Sequence, residues 1–259
     1  LIGSGIAPER VFVQSDIARD LAALTWMLEC TSTFGEVARM IQFKEKSAGA
    51  KTVRLGLLTY PVLMAADILL QGADEVPVGD DQAQHVELAR VLARRFNTTY
   101  GDVFVVPQAV TPKAAARIRD LADPSRKMAK STRDSAGVVF LLDSPDTVRR
   151  KFRRAVTDGL DRVGYDPVHQ PGVANLLEIL GACTGVPAKS AADGITTYGA
   201  LKDAAADAVI EELRPVRKMT MDLLADPAEL DRIRTTGADR AAERGAHRLA
   251  AGMRVAGIG

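Results

Sequence analysis

Short apolar runs and longer apolar stripes of helical period take turns along the first 142 residues, after which the pattern becomes helical throughout. Leu1 to Arg10 reads as the end of a helix and a turn, and Val11-Phe12-Val13-Gln14-Ser15 as a buried strand arriving at a loop. Asp16 is placed to cap the next helix, whose wide apolar face carries Leu21, Leu24, Trp26, Met27 and Leu28, with Trp26 read as core packing. Phe34, Val37, Met40, Ile41 and Phe43 recur at helical spacing over Thr33 to Lys46, and residues 47–51 read as a flexible loop. Tyr60 to Leu70 is apolar almost all round and predicts a buried helix with Pro61 in its first turn. Val76 to Val78 is a short strand, Gly79 permits a sharp exit, and Asp80 or Asp81 caps an amphipathic helix marked by Val86, Leu88, Val91 and Leu92. Phe104 to Pro107 is a further strand, Ala114 to Leu121 a strand or helix edge, and Val138 to Leu142 closes the region.

This alternation predicts an α/β domain of three layers with a mainly parallel sheet over residues 1–142. Pro145-Asp146 then starts a helix, and Val173 to Leu180, Tyr198 to Leu213 and Asp239 to Val255 are the main periodic runs of a helical part spanning 143–259.

Composition narrows the class without naming the chemistry. The 259 residues are 47% hydrophobic and carry a net charge of +1, so contact with a polyanion must come from local patches. Cys30 and Cys183 lie far apart without metal-ligand spacing, which points to a reducing, cytoplasmic compartment. No apolar run approaches the roughly 20 residues that span a bilayer, so no membrane role is expected.

Three places stand out chemically. Asp67 puts a carboxylate in an apolar helix, which costs several kcal/mol unless something donates to it; its partner is a buried Arg, a backbone N–H or a ligand, and Met64 lies one turn away on the same face. Lys127 and Lys130, with Ser131 beside the second, can converge on a pyrophosphate from one turn, although a solvated basic loop carries the same residues. Residues 148–154 hold five cations in seven positions, Arg149, Arg150, Lys151, Arg153 and Arg154, suited to phosphates or to a solvated helix face. His85, with no second His or Cys nearby in sequence, reads as a packing or hydrogen-bonding residue.

In their order and spacing, Phe34-Gly35-Glu36, MIQFKEKS at 40–47, YPVLMAADILL at 60–70, VPVGDDQ at 76–82, KMAKS at 127–131 and AVTD at 155–158 resemble bacterial-type tryptophanyl-tRNA synthetases. The likeness to these class I aminoacyl-tRNA synthetases runs through essentially the whole chain. It implies a Rossmann-like catalytic domain over 1–142, its N-terminal strands missing, and a helical tRNA-binding domain over 143–259 whose last helix packs back on the catalytic domain.

The resemblance also implies roles. Asp67 would accept the indole N–H of L-tryptophan, Met64 and Val78 pack its ring, and Tyr60 and Gln82 stand near its amino-acid end. A pocket that satisfies a substrate N–H can reject an analogue lacking it by roughly 10⁴–10⁵. Gly79, Asp80, Asp81 and Ile118 would border the adenosine of ATP, with Met128, Ala129 and Ser131 completing the loop around the nucleotide. Lys127 and Lys130 would stabilise charge on the leaving pyrophosphate, and Lys46 and Gln42 would reach the same region. Mg²⁺ would arrive on the ATP phosphates, with no resident metal. Arg149, Arg150, Lys151, Arg153 and Arg154 would meet tRNA(Trp), and a homodimer would form with a contribution from the Trp26 to Met40 region.

Two departures qualify the likeness. The family loop is Lys-Met-Ser-Lys-Ser, and Ala129 in place of its first serine removes a hydrogen bond worth about 0.5–1.5 kcal/mol, which tunes activity without abolishing it. The family's His-x-Gly-Asn-type nucleotide signature is absent. Within enzymes the competing reading is a tyrosyl-tRNA synthetase, and outside them a synthetase-like paralogue that does not aminoacylate. The missing signature predicts a further N-terminal segment in the natural protein. These 259 residues alone are then expected to give no tryptophan-dependent ATP–pyrophosphate exchange, and normal exchange by the isolated chain overturns that expectation.

Overall fold

The computed structural model describes residues 1–79, 82–110, 118–129 and 135–258, so Asp80, Asp81, Lys130 and Ser131 of the predicted site lie outside the described residues. Its helices are α1 (Ala18–Thr31), α2 (Phe34–Ala38), α3 (Ile41–Ser47), α4 (Leu55–Gln71), α5 (Ala83–Tyr100), α6 (Pro145–Arg153), α7 (Pro171–Thr184), α8 (Tyr198–Leu224) and α9 (Pro227–Val255). Strands β1 (Glu75–Pro77) and β2 (Gln108–Val110) complete the set. The chain forms two compact units, one of residues 7–113 with 228–259 and one of residues 1–6 with 114–227. The expected boundary after 142 lies within the second of these.

The first unit is built on α4, which packs with α1 and α5 and buries Val62, Ala65, Ala66, Leu69 and Leu70. Its start is earlier than the sequence suggests: Pro61 lies inside the helix, because Leu55 to Leu58 continue the helical run ahead of it. A left-handed Gly72 (φ 61°) ends it. β1, α5 and β2 form a parallel βαβ unit with Val76 opposite Ala109. Among the described residues this is a sheet of two strands.

The third expected strand is displaced. Phe104 to Pro107 forms no ladder, because Asn97 has already taken the backbone: its Oδ1 accepts from Val103 N–H and Phe104 N–H, and its Nδ2 donates to the Phe104 carbonyl. Pairing starts one residue beyond Pro107, which has no N–H to offer. Val11 to Val13 is likewise extended but unpaired, and Val138 to Leu142 forms no strand.

The stretch read as one helix over 33–46 is two. Thr33 and Glu36 form a reciprocal capping box at the start of α2, and the chain opens at Met40 so that this side chain is buried. Glu36 also pairs with Arg95 of α5, whose guanidinium holds the Glu36 carboxyl down at a pKa of about 2. Asp16 is no cap; its carboxylate takes Arg234 Nε of α9 at 2.8 Å. Trp26, expected in the core, is 55% exposed because it falls on the outer side of α1 while Leu24, Met27 and Leu28 face in.

α9 closes this unit with a stripe of small buried residues, Gly237, Ala241, Gly245 and Gly252. A Cβ on Gly237 would stand 2.0 Å from the Val11 carbonyl, and one on Gly245 2.8 Å from Leu70. In the other unit, α6 and α7 pack against α8 around Val148, Phe152, Val173, Leu177 and Leu201.

Two glycine replacements separate helix propensity from close approach. Gly237→Ala is expected to lower stability by about 1–3 kcal/mol, since the clash with backbone exceeds the propensity gain. Gly56→Ala, with open space at its Cβ in α4, is expected to raise stability by up to about 1 kcal/mol. Urea unfolding of both variants checks the pair.

Candidate active site

The residues expected to hold an amino acid lie on α4 and the β1–α5 connection. Asp67 is half-buried, and the donor it needs is Gln14, whose Nε2 reaches Oδ2 at 2.7 Å. Among the described residues nothing donates to Oδ1. Burial raises the Asp67 pKa above the usual carboxylate value, and the Gln14 bond opposes that. Met64, one turn earlier, and Val78 both pack on the apolar core beside it. Val78 donates its N–H to the Val110 carbonyl at 3.0 Å, which extends the β1–β2 pairing to the edge of Gly79. Gln82 donates its N–H to the Gly79 carbonyl at 2.9 Å and begins α5.

Tyr60, Gln42 and Lys46 meet in one polar chain. The Tyr60 hydroxyl donates to Gln42 Oε1 at 3.1 Å, and Lys46 Nζ donates to the same oxygen at 3.2 Å while standing 5.5 Å from the Tyr60 ring centre. His85 Nε2 is 3.1 Å from the same hydroxyl. With the Tyr60 proton directed at Gln42, His85 serves as donor from Nε2. Burial raises the Tyr60 pKa, which keeps the phenol protonated as that donor. The α3 backbone is held by Gln84, whose Oε1 accepts the Ile41 N–H at 2.9 Å.

The other predicted residues belong to the second unit. Arg119 and Lys127 form an antiparallel bridge, flanked by Met128 N–H to the Ile118 carbonyl and Asp120 N–H to the Arg126 carbonyl, each 3.0 Å. Lys127 is exposed on this two-stranded arm. Buried Asp120 shapes its turn by accepting from Ala122 N–H and Asp123 N–H. Asn175 of α7, also buried, bonds both backbone groups of Arg119. Ile118 and Met128 line an apolar cavity of about 250 Å³ with Ile179, Cys183 and Val209.

The basic helix divides. Lys151 turns inward, donating to Asp143 at 2.6 Å and to the Val138 carbonyl at 2.7 Å, so it is a structural cation and is removed from the nucleic-acid set. Arg149 pairs with Asp207 at 2.9 Å and Arg153 with Asp203 at 3.7 Å, whereas Arg150 and Arg154 are exposed.

A family model described as tRNA synthetases class I (W and Y) matches residues 1–214. The chain belongs to the class I tRNA synthetases for tryptophan and tyrosine. Within this family it is 54% identical over 247 residues to a protein named tryptophan-tRNA ligase 1 from Streptomyces coelicolor, covering 93% of this chain and 73% of the relative. The tryptophanyl-tRNA synthetase of Mycoplasma pneumoniae superposes with a TM-score of 0.79 at 33% identity, over 100% of this chain and 80% of that one. That of Campylobacter jejuni, complexed with ADP and tryptophan, gives a TM-score of 0.84 at 28% identity, over 99% and 80%. The class I synthetase fold is therefore the right description of this βαβ unit and its helices.

Gln14, His85 and Asn175, which bond Asp67, Tyr60 and Arg119, were not marked by the sequence as partners of those residues. Gln14 stands at the polar end of an apolar run, and Asn175 is the one polar side chain between Gly172 and Leu177; both are weak signals. Gln14→Leu is expected to raise the Asp67 pKa further, because it removes the bond that opposes burial. A folded-state pKa above the unfolded one costs stability as pH rises through it. The variant should therefore lose most against the parent at neutral pH and least in acid; a carboxyl ¹³C NMR titration with unfolding at each pH reads both.

Proposed function

We propose that the protein is a tryptophan-tRNA ligase. In the first step a carboxylate oxygen of L-tryptophan attacks the α-phosphorus of ATP, and the bond to the bridging oxygen breaks as pyrophosphate leaves. The 2′-hydroxyl of the terminal adenosine of tRNA(Trp) then attacks the carbonyl carbon of the mixed anhydride, and AMP leaves.

The observation that carries the reading is Asp67, a half-buried carboxylate with one oxygen engaged by Gln14 and, among the described residues, no donor on the other, with Met64 one turn away and Val78 packed on the same apolar core. That arrangement suits one in-plane N–H at the edge of a flat apolar ring, as an indole presents. The Campylobacter relative, whose structure holds ADP and tryptophan, supports the same ligands. Tyr60 and Gln82 are assigned to the amino-acid end of the pocket and Gly79, Asp80, Asp81 and Ile118 to the adenosine. Lys127 and Lys130, with Lys46 and Gln42, are assigned to the pyrophosphate, and Met128, Ala129 and Ser131 to the loop that carries it. Mg²⁺ enters on the ATP phosphates as part of the substrate.

Arg149, Arg150, Arg153 and Arg154 are assigned to tRNA phosphates, since their counter-charges Asp207 and Asp203 sit on exposed, screened pairs. A homodimer is supported by Trp26 and Phe34, which are 55% and 74% exposed within the Trp26 to Met40 region. The setting is assigned to the cytoplasm, and among the described residues no helix is long and apolar enough to cross a membrane.

Tryptophan-dependent ATP–pyrophosphate exchange by the full-length protein tests the reading. Asp67→Ala removes a hydrogen bond to a charged acceptor, worth about 1.5–3 kcal/mol, so the KM for tryptophan should rise roughly 10- to 100-fold with the KM for ATP unchanged. Strict dependence on tyrosine, or tryptophan binding with no adenylate formed, overturns it.

A further inference from the structure

Asn175 makes a two-point contact. The Arg119 N–H donates to its Oδ1 at 2.9 Å, and its Nδ2 donates to the Arg119 carbonyl at 3.0 Å. A neighbouring strand would meet Arg119 with the same pair of bonds, and here a side chain on a helix takes its place. The opposite edge of Arg119 bridges Lys127, so Asn175, Arg119 and Lys127 form consecutive rungs. The base of this ladder is fixed. Asn175 is 2% exposed, with Val173, Leu176 and Leu177 of α7 buried around it. α7 itself is pressed so close to its surroundings that a Cβ on Gly172 would stand 2.2 Å from the Val156 carbonyl.

We propose that Asn175 is a positioning residue for nucleotide activation: through Arg119 it sets where the backbone of Lys127 and Met128 stands. Only a carboxamide of this length supplies one donor and one acceptor to the same residue. Aspartate keeps the acceptor but, ionised, sets an oxygen against the Arg119 carbonyl. Alanine leaves both Arg119 groups without their partner. A displacement of about 1 Å in a group that must meet developing charge can cost on the order of 100-fold in rate. The residues assigned to tryptophan belong to the other unit, so the effect should fall on ATP.

The kinetic arm rests on the ligase reading; the structural arm does not. In the full-length protein, Asn175→Ala is expected to speed amide hydrogen exchange in peptides covering 118–128 while leaving those of 55–71 as in the parent. It should lower kcat for ATP–pyrophosphate exchange and raise the KM for ATP by 10-fold or more, with the KM for tryptophan held within about 2-fold. Asn175→Asp, nearly isosteric, carries the question if the alanine variant does not fold. Burial raises its carboxyl pKa, and the protonated acid regains the donor, so its KM for ATP should approach the parental value as pH falls. Unchanged exchange at 118–128, equal rises in both KM values, or an aspartate variant that tracks the parental pH profile overturns the proposal. If the parent shows no tryptophan-dependent exchange, the ligase reading fails, and hydrogen exchange with ATP-binding affinity of the variants still decides the role of Asn175.

Discussion

The first unit depends on the burial of α4. A helix apolar round most of its circumference has to be covered on all sides, and α1, α5 and α9 share that work. Each covering element brings a different solution. α1 and α5 supply large side chains such as Leu24, Leu28, Leu92 and Phe96. α9 supplies Leu249 and Met253, and its glycines let its backbone approach Leu70 and the Val11 segment directly. Asp67 is the exception on α4, and that side is where a polar neighbour, Gln14, is placed.

With only two short strands among the described residues, many buried backbone groups need partners that a larger sheet would have supplied. Carboxamide side chains take that role repeatedly. Asn97 holds Val103 and Phe104, Gln84 holds the first turn of α3, and Asn175 holds Arg119. Each amide offers one donor and one acceptor, which matches what a peptide group presents. The consequence reaches the proposed chemistry, since Gln42, Lys46 and Lys127 all stand on segments fixed in this way.

Charge divides into structural and exposed sets by the same reasoning. Lys151 and the Glu36–Arg95 pair are partly buried, and their hydrogen bonds fix local backbone. The pairs of Arg149 and Arg153 with α8 carboxylates are open to solvent, where ion pairs contribute about 0–1 kcal/mol. Such weak pairs leave the guanidinium groups available to a phosphate.

The sequence by itself determined the elements whose pattern is internal: the apolar α4, the amphipathic α5, the βαβ order, the helical second half and the motifs that resemble class I synthetases. Local periodicity and local motif chemistry suffice for these, because helix faces and turn residues act over a few positions. Tertiary structure decided what depends on partners distant in sequence. Asp16 left its capping role for Arg234, Trp26 turned outward, Asn97 displaced a strand, and Lys151 was withdrawn from the basic helix. Asp67, Tyr60, Gln42 and Lys127 were marked as site candidates by the sequence alone. Gln14, His85 and Asn175 were not, because a polar side chain in a sequence shows what it can donate or accept and never which group stands opposite it.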